Sequence, residues 1–159
     1  MTIMLKGIID TDTINYKKIS MVLEFPKCDF KCDKECGQQV CQNSALATAP
    51  TVRKDVWGII DHYLNNPITQ AVCIQGLECF DSYGDLLLFI KAFRSKSDDD
   101  IVIYTGYNKD EILDRVTFLK KIPNIIIKFG RYIPNQQPHY DEVLGVNLAS
   151  DNQYAERIS

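Results

Sequence analysis

ISMVLEF, residues Ile19–Phe25, is a short apolar run rich in strand-forming side chains, and Pro26 closes it. KCDFKCDKECGQQVCQNS follows at once, Lys27–Ser44, with Cys28, Cys32, Cys36 and Cys41 inside 14 residues. Runs like the first return downstream. They are AVCIQ at Ala71–Gln75 before Gly76, IVIY at Ile101–Tyr104 before Gly106, and IIIKF at Ile125–Phe129 before Gly130. Helical patterns fill the gaps. A short helix is expected at Asn43–Ala49, stopped by Pro50, then a longer one over Val52–Asn65 with Thr51 as its cap. In that longer helix Val56, Ile59, Ile60, Tyr63 and Leu64 recur at helical spacing. Tyr83–Phe93 and Lys109–Lys121 complete the helical set. Apolar runs of about five residues alternating with such helices imply βαβ units and a mostly parallel sheet covered by helices. The expected class is therefore α/β, in one domain spanning residues 1–159 with the metal loop at 26–44. Ser95–Asp100 reads as a solvated polar turn, and the chain from Arg131 onward as irregular, with weak strand potential at Val143–Leu148.

Composition sets outer limits. The chain has 159 residues, 45% hydrophobic and 25% charged, the balance of an ordinary globular protein. A net charge of −3 gives no reason to expect nucleic acid or a membrane surface as partner. No apolar run approaches the ~18 residues of a membrane span. The start, MTIMLKGIID, lacks the basic opening and small-residue cleavage site of a secretory signal, so the cytoplasm is the expected address.

In a reducing compartment six cysteines point to metal rather than disulfides. Four sit in one continuous loop at spacings of three, three and four residues. Zinc sites favour paired C-x₂₋₄-C units separated by a longer spacer, whereas an iron–sulfur cube needs thiolates converging from irregular backbone. An iron–sulfur cluster is the expected occupant, with structural zinc as the competitor. Cys73, alternating with apolar neighbours, reads as a buried strand thiol; Cys79 reads either as a reactive thiol or as a turn residue. His62 is expected on a helix surface and His139 in a loop, and neither has the neighbours of a catalytic triad. No catalytic residue is assigned beyond the cluster ligands.

The strand leading into Cys28-x₃-Cys32, followed later by Cys41-Gln42-Asn43, resembles the radical S-adenosylmethionine superfamily. Within it, nearly the whole chain is similar to the activating proteins of the anaerobic (class III) ribonucleotide reductase. The resemblance implies a partial (β/α) barrel and a [4Fe-4S] cluster with one iron free of protein ligand, where S-adenosylmethionine binds. It further implies a radical oxidoreductase that makes a 5′-deoxyadenosyl radical and installs a glycyl radical on a large partner, the reductase. An electron donor such as flavodoxin or ferredoxin would serve it. The superfamily spacing is C-x₃-C-x₂-C; here Cys41 keeps the following Asn43 at the cost of an insertion, and Cys36 keeps the spacing more nearly. Cys28, Cys32 and Cys41 are the implied ligands, with Cys36 as the alternative third. If all four bound, no iron would be open and the protein would only carry electrons.

Two further segments carry the resemblance. Gly76-Leu77-Glu78-Cys79 is similar to the superfamily's G-G-E-P, with Leu77 and Cys79 departing from it. There Gly76 and Glu78 are expected to hold the cofactor's amino group, since glycine permits close approach and a carboxylate suits an ammonium. Tyr104-Thr105-Gly106-Tyr107 resembles a Y-T-G-Y of the activating proteins, which implies that Tyr104 and Gly106 line the ribose or adenine. Lys128–Arg131 and Asn152-Gln153 match a glycine turn and a tail of the same proteins. The competing functions are the same radical chemistry on a small molecule or peptide, and a non-enzymatic four-cysteine iron–sulfur or zinc module.

Overall fold

The computed structural model describes residues 1–27, 34 and 44–159. The first apolar run forms β3 (Ser20–Phe25), after two strands that the sequence pattern does not announce, β1 (Thr2–Leu5) and β2 (Gly7–Asp12). The chain then gives a 3₁₀ turn at Ser44–Thr48, β4 (Val52–Asp55), α1 (Val56–Asn65) and β5 (Ala71–Gly76). Next come α2 (Tyr83–Arg94), β6 (Asp100–Tyr104), α3 (Leu113–Leu119) and β7 (Ile125–Phe129). A hairpin of β8 (His139–Asp141) and β9 (Val146–Leu148), then β10 (Tyr154–Arg157), ends the chain.

The central sheet has six strands in the order β10-β7-β6-β5-β3-β2. The inner four, β3, β5, β6 and β7, are parallel, and antiparallel β2 and β10 close the two edges. The sheet is thus mixed but mostly parallel.

Alternation along each strand splits the core in two. Leu23, Phe25, Ile74, Ile101, Ile103 and Ile127 pack with Ile60, Phe89, Phe93 and Val116 of the helices. Val22, Cys73, Val102 and Ile126 face the other way, and their cover is Tyr16, Leu144 and Leu148 from non-helical segments. The expectation of a sheet covered by helices therefore holds for one face only.

The helix expected over Val52–Asn65 is shorter. Val52–Asp55 pairs antiparallel with β1, in the register Thr2↔Asp55 to Leu5↔Val52. Asp55, not Thr51, is the cap, its carboxylate accepting from Gly58 N at 2.8 Å. Lys109–Lys121 likewise divides into a 3₁₀ turn, Lys109–Ile112, and α3, with Asn108 and Glu111 forming a capping box at the start. No helix among the described residues is long and apolar enough to cross a membrane.

The aspartates of Ser95–Asp100 are not all solvated. Asp99 accepts from the Tyr63 hydroxyl at 2.6 Å. Asp100, 5% exposed, accepts from Tyr16 (2.8 Å), Lys18 (2.9 Å) and Arg157 (3.0 Å), so it ties both ends of the chain to β6. Burial alone would raise its pKa, but these three donors together hold it below the ordinary carboxylate range. Asp100→Ala is expected to cost about 2–3 kcal/mol, chiefly by stranding the buried Tyr16 hydroxyl. A depressed folded pKa stabilises above the unfolded value and loses that effect as pH falls through the folded one. Urea denaturation should therefore show the wild-type advantage at neutral pH, shrinking below about pH 4.

Candidate metal centre and its flanking loops

Because β3, β5, β6 and β7 run parallel, their carboxyl ends share one edge of the sheet, and the loops leaving them meet there. β3 leads through Pro26-Lys27 into Cys28. Beside it, Gly76 ends β5 with φ of +107°, opposite Phe25 in the register. A side chain there would put Cβ 2.4 Å from the Phe25 nitrogen, so only glycine lets the two backbones come this close. Leu77 N then donates to Phe25 O at 3.1 Å and Glu78 N to Lys27 O at 2.6 Å. The Gly76–Glu78 loop thereby grips the last residues before the first cysteine.

Glu78 is 6% exposed. Its Oε1 accepts from the Thr105 hydroxyl at 2.7 Å and Phe80 N at 3.2 Å, and its Oε2 from Gly106 N at 2.9 Å. Two of the segments singled out in the sequence are therefore joined through one carboxylate. A carboxylate has about four acceptor positions, so three donors leave one spare. Burial raises the Glu78 pKa, opposed by the bonds from Thr105, Gly106 and Phe80 and assisted by the charge of Asp81.

Tyr104 lies half-buried with its hydroxyl donating to Asn15 O at 2.6 Å, and the Lys128 ammonium stands 5.7 Å from its ring. Burial, then the nearby Cys73, Asp12 and Asp141, pushes its phenol pKa up. Tyr107 donates to Asp81 at 2.6 Å, while Arg131 stands 6.0 Å from the Tyr107 ring and forks onto both oxygens of Glu111 at 2.8 and 2.7 Å. The glycine turn and the tail also meet. Gln153 donates to Gly130 O at 3.3 Å, and Asn152 to Arg131 O at 2.8 Å.

Sequence reasoning missed Glu24 and Gln75, which complete a row across this edge. Glu24, Gln75, Tyr104 and Lys128 occupy successive strands on the face turned from the helices, with Glu24 beside Gln75 and Tyr104 beside Lys128. Glu24 and Gln75 are half-buried, and among the described residues neither side chain makes a hydrogen bond. The available signal was a polar residue at or next to the end of an otherwise apolar strand.

Cys28, Cys32, Cys36, Cys41 and Asn43 lie outside the described residues. The other two cysteines are fully buried. Burial pushes the Cys73 thiol up to about 12 and the Cys79 thiol well above its ordinary value, so both are neutral core groups. Among the described residues Cys79 only donates weakly to Tyr104 O at 3.5 Å, as a buried turn residue would. His62 pairs with Asp10 at 2.8 Å on the surface; His139 begins β8, its Nδ1 buried without a hydrogen bond among the described residues. No group of three or more His, Cys, Asp or Glu side chains among the described residues is placed to hold a metal. Cys28, Cys32, Cys36 and Cys41, between Lys27 and Ser44, are the candidate thiols. Four thiols clustered in one stretch of sequence are a donor set that fits an iron–sulfur cube.

A family described as the 4Fe-4S single cluster domain matches residues 18–153, from just before β3 to the tail at Gln153. No curated protein and no solved structure matches the chain. The match covers the cysteine loop, all four parallel strands and every loop at their carboxyl edge, and the chain belongs to this family of proteins that carry a single 4Fe-4S cluster.

Proposed function

We propose that the cluster serves radical chemistry with S-adenosylmethionine, and that the chain installs a glycyl radical on a large partner of the anaerobic ribonucleotide reductase type. One observation carries this reading. Glu78 and its loop connect the backbone before Cys28, through Lys27 O, to the Thr105–Gly106 turn, so the lead into the cysteine loop and the two other segments that resemble the activating proteins are hydrogen-bonded together.

What the group supplies when bound is an electron to the sulfonium, with release of the 5′-deoxyadenosyl radical. The residues of the chain do the rest. Glu78 keeps one acceptor position for an ammonium while its other bonds hold the two loops at fixed separation. Gly106 keeps the turn after β6 free of a side chain next to that carboxylate. Lys128 and Arg131 place cationic groups at the end of β7, and Glu24 and Gln75 add polar groups to the same edge.

The winding supports the partial barrel in this proposal. The four parallel strands lie in chain order, and α1, α2 and α3 all contribute to the core on one face. A doubly wound sheet reverses its strand order and has helices on both faces. Successive right-handed crossovers in one direction give the winding of a (β/α) barrel instead. With antiparallel β2 and β10 at its two edges such a barrel stays open among the described residues, which suits a protein substrate, with flavodoxin or ferredoxin as electron donor in the cytoplasm.

Anaerobically reconstituted protein with a low-potential reductant and S-adenosylmethionine is expected to release 5′-deoxyadenosine. Glu78→Gln should keep its iron but lower that release at least about tenfold, because the new NH₂ group faces donors where an acceptor is required. Iron-loaded wild-type protein that yields no 5′-deoxyadenosine would overturn the radical reading and leave an electron carrier.

A further inference from the structure

The two ends of the cysteine loop are held by different devices. Before Cys28 the ties are backbone to backbone, Leu77 N to Phe25 O and Glu78 N to Lys27 O. After Cys41 the described chain resumes at the 3₁₀ turn Ser44–Thr48, and there the tie is a side chain. Lys6 is the residue between β1 and β2, and its N donates to Glu24 O at 2.7 Å, anchoring its backbone on β3. From that anchor its ammonium reaches across to donate to Ala47 O at 3.2 Å and also to Ala49 O. Ala47 lies in the last part of that turn and Ala49 just past it, and a cation suits carbonyls at the end of a helical turn both as donor and by charge. A half-buried lysine bonded to two carbonyls at once is a clamp of fixed direction rather than a solvated surface charge.

We infer that Lys6 is a positioning residue for the iron–sulfur cluster, fixing the point at which the cysteine loop rejoins the fold. Cys41 precedes Ser44 by three positions in the sequence, and three residues span no more than about 11 Å. Where Lys6 holds the turn therefore limits where that thiolate can stand. Two backbone strands, β1 leading into Lys6 and β3 leading into Cys28, also meet at the same Lys6–Glu24 bond, so one small unit sets both ends. The inference rests on the cluster and on Cys41 as one of its ligands, and it does not need the radical chemistry.

The test uses the full chain loaded with its cluster and without S-adenosylmethionine. Lys6→Met keeps the length and apolar stem but removes the donors, while Lys6→Arg keeps donors on a longer stem. A ferrous chelator is added anaerobically, and the decay of the cluster's visible absorbance is followed alongside the melting temperature of the cluster-free protein. Lys6→Met is expected to lose its cluster about tenfold faster, with the cluster-free melting temperature unchanged and a broadened paramagnetic resonance spectrum of the reduced cluster. Lys6→Arg should restore decay to within about threefold of wild type. Wild-type decay in Lys6→Met would overturn the inference. So would failure of Lys6→Arg to restore it, or faster decay fully matched by a fall in the cluster-free melting temperature, since the lysine would then only stabilise the fold.

Discussion

Gly76→Ala is expected to destabilise the protein by at least about 3 kcal/mol, a large part of the ~5–15 kcal/mol that holds a domain of this size together. Two separate costs combine. At φ of +107° an L side chain is strained whatever surrounds it. The new Cβ would also stand 2.4 Å from Phe25 N and 2.8 Å from both Glu24 C and Phe25 O, all backbone atoms in a strand pair. Side chains can rotate away from such a contact, but β3 and β5 can relieve it only by moving apart. That movement takes Leu77 N from Phe25 O and Glu78 N from Lys27 O, so the grip on the residues before Cys28 fails with the strand pairing. Gly84, in the first turn of α2 with nothing within 4 Å of its missing Cβ, is the control. Gly84→Ala should be neutral or stabilising by up to about 1 kcal/mol. Chemical denaturation of both variants, with iron content after reconstitution, checks the contrast. A Gly76→Ala protein within 1 kcal/mol of wild type would show that the loop does not need the close approach.

The parts of the fold that were legible in the sequence are those whose cause is local. Ala71–Gln75, Ile101–Tyr104 and Ile125–Phe129 are continuous apolar runs because both of their faces are covered, and each stands in the structure within one residue of its reading. Val52–Asp55 was hidden because all four of its residues are exposed and its pairing partner, Thr2–Leu5, lies some fifty positions earlier. A run of three aspartates looks like a solvated turn until Lys18 and Arg157, 82 and 57 positions away, converge on Asp100. The site divides in the same manner. Gly76, Glu78 and Gly106 were singled out by residue type and by resemblance, since a glycine and a carboxylate after a strand carry meaning by themselves. That Glu78 is bonded to Thr105 and Gly106 was not visible, and neither was the ammonium of Lys6 on Ala47, because both depend on tertiary placement.

Single alanine replacement of each cysteine is expected to divide the six into ligands and core groups with all-or-none effect. Cys28→Ala, Cys32→Ala and Cys41→Ala should each reduce bound iron and sulfide to background, because a cube held by three thiolates tolerates the loss of none of them. Cys36→Ala should keep its cluster. Cys73→Ala and Cys79→Ala should keep theirs too, at about 1 kcal/mol or more of stability each, since their thiols are fully buried and neutral. The pattern decides more than the ligand set. If Cys36 is required and Cys41 is not, the third corner moves five positions along the loop and the Lys6 clamp acts on a segment more distant from it. If all four are required, every iron has a thiolate and none is open to the amino and carboxylate groups of S-adenosylmethionine. Membership of the single-cluster family would stand in that case, and the proposed radical function would fall.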